Sequence, residues 1–130
     1  MKLINKELLN SICLQAKENE RLRMNYNFHE TLDAPAQRLL NSLQPGTNLP
    51  VHKHANTAET YILLQGKLQV LFYNSDKELT DSVILDQKEG KFGIHIPVGQ
   101  WHTIDVLEPD TVIFEVKDGP YLPLSEDSII

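Results

Sequence analysis

The feature that most restricts the fold of this chain is a rhythm. Past residue 20, short runs of strand character are cut by turn-forming residues about every ten positions. The runs are residues 37–43, 60–64, 67–73, 82–85, 92–96, 103–107 and 111–117. Between them stand Gln44-Pro45-Gly46, Gly66 and Asn74-Ser75-Asp76, which supply turn chemistry. None of the runs has the length or period of a helix. A chain of this kind folds as a sandwich, a jelly roll or a barrel. At 130 residues it forms one domain with a core of its own, so residues 1–130 are taken as a single unit.

Two stretches depart from that rhythm. In residues 5–18, Leu8, Leu9, Ile12, Cys13 and Ala16 recur at helical spacing on one face. Asn5 is placed to cap this helix, and Glu7 sits in the first turn where the dipole favours an acid. The barrel is expected over about 21–117, with a tail over 118–130 whose prolines supply no ladder donors. The second stretch follows the helix with period two. Arg21, Arg23, Asn25, Asn27 and His29 alternate with Leu22, Met24, Tyr26 and Phe28. The polar stripe holds neither an acid nor a lysine.

Charge narrows the classes of partner. The net charge is −6, and the acids concentrate late: residues 54–130 carry five Lys/Arg against thirteen Asp/Glu. That balance argues against binding to the nucleic-acid backbone. The longest apolar runs fall far short of the ~20 residues that span a bilayer, and the N-terminal stretch lacks the apolar centre of a signal peptide. The lone Cys13 permits no internal disulfide. These features lead us to expect a cytoplasmic protein without membrane or nucleic-acid partners.

The chemistry-bearing segment begins at Gly46. His52 and His54 are two apart, so on a strand their imidazoles leave the same face, and Glu59 can return a carboxylate to them. A third imidazole, His102, comes much later, after Pro97-Val98-Gly99. Three neutral imidazoles and one carboxylate suit one divalent iron, manganese, nickel or zinc ion, with positions left open for water or substrate.

These residues carry a resemblance. The run Gly46-x5-His52-x-His54-x4-Glu59-x6-Gly66 is similar to the first cupin motif, and Pro97-x-Gly99-x2-His102 to the centre of the second. Lys91 and Val106 stand where the second motif expects glycine and asparagine, and neither is a ligand position. The resemblance implies an all-β double-stranded β-helix, or jelly-roll barrel, with a short N-terminal α-helix ahead of it. It also implies a metal held by His52, His54, Glu59 and His102, and a homodimer. The Arg21-to-His29 stripe, Trp101-His102-Thr103 and the run from Phe114 to Tyr121 resemble, more narrowly, the WbuC-type cupin metalloproteins over about residues 20–121. That family is associated with O-antigen and other surface-polysaccharide biosynthesis, and the association leaves the reaction open.

Around the ligand set, Glu115 interrupts an apolar strand and serves either as a pocket acid or base or as the partner of an arginine. Glu115 and His29 are the candidate proton carriers. Arg21, Arg23, Asn25, Asn27 and Tyr121 are the candidate substrate contacts, because guanidiniums grip carboxylate or phosphate and amides orient on hydroxyls. The expected ligand is an anionic or sugar-like small molecule. His95, out of phase with Ile94 and Ile96, is expected to face away from them and to stay outside the ligand set. Three functions fit: a metal-dependent sugar or sugar-nucleotide isomerase or epimerase, a non-catalytic saccharide-binding or regulatory cupin, and an iron(II) dioxygenase.

Overall fold

The computed structural model describes residues 1–130. One helix, α1 (Lys6–Glu18), precedes eight strands: β1 (Arg23–Asn27), β2 (Ala36–Leu43), β3 (Glu59–Gln65), β4 (Leu68–Tyr73), β5 (Leu79–Leu85), β6 (Gly93–Ile96), β7 (Trp101–Val106) and β8 (Thr111–Asp118). The strands form two antiparallel sheets, ordered β1-β2-β8-β3-β6 and β5-β4-β7. The two-sheet arrangement is one of those expected from the rhythm of the sequence, and it is the jelly roll that the cupin resemblance implies. No helix is long and apolar enough to cross a membrane.

The core lies between the sheets. Leu43, Tyr61, Leu63, Ile96 and Ile113 from the larger sheet meet Leu68, Val70, Leu85, Ile104 and Val106 from the smaller one. Each sits at every second position of its strand, as a period-two pattern demands. Gly66 makes the β3–β4 turn with φ +86°, and a Cβ there would lie 2.2 Å from the Thr111 hydroxyl oxygen, so only glycine fits. The strand β5 starts at Leu79, three residues ahead of the expected run, because it is mostly solvent-exposed and its first residues carry no apolar alternation.

The outer face of the larger sheet is covered by α1. Asn5 caps the helix, its side chain accepting from the Leu8 N–H at 2.9 Å. Ile12 and Cys13 pack with Leu40 and Val112, and Leu8, Leu9, Tyr26, Phe28 and Phe114 border them. Tyr26, Phe28 and Phe114 meet edge to face at 5.4 and 6.2 Å. Met24, Tyr26 and Phe28 therefore belong to the outer face. The stripe that alternates with them belongs to the inner one.

Register then carries the inner face across the sheet in rows. Asn27 pairs with Leu39, Leu39 with Glu115, Glu115 with Tyr61 and Tyr61 with Ile94. The next row runs Gln37, Lys117, Glu59, Ile96. Directly opposed residues share a face, so Glu59, Glu115, Lys117 and the Asn25/Asn27 stripe all project to the same side. The tail also takes part. Ser128 accepts from the Lys53 N–H, and the Ile130 N–H donates to Val51, both at 3.0 Å. The C-terminal residues thus pair beside the histidine segment, which the proline content of the tail did not suggest.

Candidate metal centre

His52 and His102 are held together by the backbone. The His52 N–H donates to the His102 carbonyl at 3.0 Å and the His102 N–H returns to the His52 carbonyl at 2.8 Å, although fifty residues of chain separate them. The Pro97-Val98-Gly99 turn is tied to the same place, the Gly99 N–H donating to the His54 carbonyl at 2.9 Å. Glu59 enters as the first residue of β3. His52, His54, Glu59 and His102 consequently form one cluster, with one ligand-capable atom from each within 4.8 Å of the others.

The ring tautomers suit ligation. His52 Nδ1–H donates to the Pro50 carbonyl and His102 Nδ1–H to the Gln100 carbonyl, each at 2.9 Å. A carbonyl only accepts, so both rings carry their proton on Nδ1 and turn a lone pair on Nε2 toward the cluster. Backbone carbonyls that orient ligand imidazoles in this way are a regular part of metal sites. Burial, and after it the neighbouring His102, lowers the His52 pKa to about 4. His102 is lowered too, chiefly by burial. Burial alone would raise Glu59, yet the hydrogen bond and charge of His54, the Tyr61 hydroxyl and the charge of His102 outweigh it and hold the carboxyl below its usual range. Burial thus favours the neutral form of His52 and His102, and the site favours the ionised form of Glu59, which are the forms that bind a divalent ion.

The fit is tested by what the protein leaves unsatisfied. His102 Nε2 and Glu59 Oε2 are fully buried with no hydrogen-bond partner, and they stand 4.0 Å apart, facing each other. A buried acceptor without a donor costs about 1–3 kcal/mol. Two acceptors aimed at one point cannot satisfy each other, whereas a cation between them satisfies both. The four residues fit a divalent metal.

The other expected site residues divide. Asn25, Asn27, His29, Glu115 and Tyr121 line one cavity of about 290 Å³ on the inner face, together with Gln37 and Lys117. Arg21 and Arg23 are absent from its wall: Arg21 is exposed, and Arg23 Nη1 donates to the Asn48 carbonyl at 3.4 Å. The phase of the stripe is as expected, but its arginine end runs past the cavity. Asn41 Nδ2 donates to Glu115 Oε1 at 2.9 Å, and burial, followed by the charge of Glu59, raises Glu115 to about 7. Glu115 is thus partnered by an amide, and neither Arg21 nor Arg23 contacts it. His29 Nδ1 accepts from the Arg38 N–H at 3.1 Å. His95 is exposed on the outer side, its Nδ1 within 2.9 Å of the Thr60 hydroxyl. Cys13 is buried under α1 beside the Ser42 hydroxyl, and burial raises its thiol pKa.

A second cavity, of about 340 Å³, opens at the histidine end. His54, Asn56, Lys117, Pro123 and Ser128 are among its walls, so the C-terminal tail closes one side. Sequence reasoning missed both this cavity and Lys117. Lys117 stands two residues from Glu115 in one strand, and period two places the pair on the same face.

A family model described as a domain of unknown function, DUF6016, matches residues 4–85. No curated protein matches the chain. Among solved structures, the capsular polysaccharide assembling protein CapF from Staphylococcus aureus aligns at 22% identity and TM-score 0.63 over 76% of this chain and 27% of its own. A cupin-2 domain containing protein from Shewanella frigidimarina aligns at 21% identity and TM-score 0.56, covering 74% of this chain and 80% of its own. KdgF from Halomonas sp. aligns at 15% identity and TM-score 0.56, covering 77% and 82%. At these identities the likeness shows the cupin fold. The chain spans about a quarter of the length of CapF.

Proposed function

The chain belongs to the DUF6016 family, and from that premise we propose that it is a metal-dependent cupin acting on a sugar or sugar nucleotide of surface-polysaccharide metabolism, by an isomerase- or epimerase-type reaction. The observation that carries the reading is the pair of buried, facing, unpartnered atoms, His102 Nε2 and Glu59 Oε2, inside a cluster completed by His52 and His54. The resemblance to WbuC-type cupins supports the pathway, as does the fold shared with a capsular polysaccharide assembling protein.

A divalent ion in this cluster supplies Lewis acidity toward neighbouring carbonyl and hydroxyl oxygens. The chain's own residues supply the rest. The Pro50 and Gln100 carbonyls fix the ligand imidazoles. Asn41 orients Glu115, whose raised pKa lets it exchange a proton near neutral pH. In this mechanism Glu115 takes the proton from the carbon beside the substrate carbonyl and returns it to the same carbon or its neighbour. His29, at the same cavity wall, is the alternative carrier. The amides of Asn25 and Asn27 meet substrate hydroxyls.

The test is metal analysis of protein purified without an affinity tag, followed by incubation with sugar nucleotides in deuterated water. One divalent ion per chain and deuterium entering the substrate carbon are the expected results. Metal without deuterium incorporation shifts the assignment to a saccharide-binding module. Oxygen consumption by the iron-loaded protein shifts it to a dioxygenase.

A further inference from the structure

We propose that Lys117 is the oxyanion-recognising residue of this site, taking the phosphate or carboxylate of a hydroxylated small molecule whose other oxygens reach the His52/His54/Glu59/His102 cluster. The inference rests on the metal-site reading and adds the substrate class. Lys117 is opposite Glu59 in the β3–β8 ladder and opposite Gln37 in the β2–β8 ladder, so its side chain leaves the inner face beside a metal ligand. It is also the residue common to both cavities, the one at His54 and the tail and the one at Glu115 and Asn27. A ligand spanning from the metal cluster to the asparagine wall passes its ammonium.

The charge of Lys117 acts on Glu115 only at a distance, lowering its carboxyl pKa without an ion pair. Lys17 pairs with Asp110, and Lys67 with Asp86 and Glu108. Lys117 forms no ion pair. Its Nζ lies 5.5 Å from the centroid of the Tyr121 ring, a cation–π contact that offers no counter-charge. An ammonium at a cavity wall with no carboxylate of the protein paired to it is free to pair with a ligand anion. Glu115, two residues away on the same face, does not fill that role. Its Oε1 is taken by the Asn41 amide, and no ion pair joins it to Lys117. With a dication at the cluster, the local charge favours an anion over a neutral sugar. The guanidiniums of Arg21 and Arg23, the residues that the sequence offered for this task, line neither cavity.

Isothermal titration of metal-loaded wild type, K117M, K117R and R23M with glucose 6-phosphate, gluconate and glucose tests the assignment. We expect at least one anion to bind wild type, with an affinity about tenfold or more weaker in K117M, about 1.4 kcal/mol. K117R should stay within about threefold of wild type, and R23M should match it. Glucose should bind all four proteins alike. The ranking of phosphate against carboxylate identifies the source of the oxyanion. The same titrations on chelator-treated protein separate this assignment from the metal reading. Anion affinity that depends on Lys117 there, in a protein that never loads metal, sinks the metal cluster and spares Lys117. Equal anion affinity in K117M and wild type, a loss in R23M as large as in K117M, or no anion binding at about 10 mM would falsify the proposal.

Discussion

The two faces of the five-stranded sheet solve burial differently. The outer face, under α1, is closed by Ile12, Cys13, Leu40 and Val112 with an aromatic border, and the polar atoms at its edge find partners within the protein. The inner face packs the main core along much of its area, but toward the histidine end its rows become polar. Of the three buried side-chain atoms without a partner, Asn41 Oδ1 and Glu59 Oε2 belong to this inner side, and His102 Nε2 approaches it from β7 of the smaller sheet. A sheet face meant only for stability has no use for such atoms, since each costs about 1–3 kcal/mol. Their segregation separates the half of the molecule that holds the fold from the half that gathers the candidate metal site.

The largest expected effect lies on the inner side. His52→Ala or His102→Ala should abolish stoichiometric metal binding, measured by elemental analysis, while far-UV circular dichroism keeps its β signature. The reason is that ten apolar residues between the sheets form a core without the metal. Loss of the β signal in both variants would make the metal structural and erase the contrast between the faces.

On the outer side the matching change is Leu40→Ala. Leu40 is fully buried against Ile12, and its truncation should cost about 2–5 kcal/mol in denaturant unfolding. Metal stoichiometry should not move. A variant that loses metal as well as stability would show the two faces to be one cooperative unit in function.

Glu115 sharpens the comparison through pH. Its carboxyl has a folded value of about 7, above the ordinary 4.5, so the folded state binds the proton more tightly than the unfolded chain. Stability from this group is complete below about pH 4.5 and declines as pH rises through 7. Glu115→Gln should therefore make the metal-free protein more stable at pH 8, by on the order of 1–3 kcal/mol, with the advantage vanishing near pH 4.5. An equal effect at both pH values would mean that the substitution acts through packing and not through the missing charge.

Much of this division was legible in the sequence. Period-two alternation assigned Tyr26 and Phe28 to one side and Asn25 and Asn27 to the other, and helical spacing chose the covering face of α1. The clustering of His52, His54 and Glu59 was legible because a strand repeats its facing every two residues and the spacing of His52 and His54 obeys it, with Glu59 close enough in the chain to return. Other features were not readable. How far along the inner face each stripe residue falls depends on the strand order β1-β2-β8-β3, a long-range property. Arg23 and Asn27 have the same phase, yet the cavity begins only at Asn25. Lys117 gains its position from Glu59, nearly sixty residues away, through a ladder that no local pattern encodes. The tail pairs with residues 51–53 despite its prolines, because Pro120 and Pro123 precede the residues that donate and accept.

The smallest expected effect probes whether the covering helix merely lies on the sheet or also tunes the site. Asn5 accepts from the Leu8 N–H at 2.9 Å and satisfies one of the free donors of the first turn. Asn5→Ala removes that acceptor from an exposed position, so the donor turns to water and the cost should be about 1 kcal/mol. For a chain of this length that lowers the melting temperature by a few degrees. Helix α1 contacts β1, β2 and β8, and none of its residues lines either cavity. Metal affinity, measured by competition with a chelator, should therefore match wild type within about twofold, since changes at distant, unshared sites add independently. A drop of tenfold would mean that fraying α1 shifts β8, and with it Glu115 and Lys117, so that the dry face sets the geometry of the polar one.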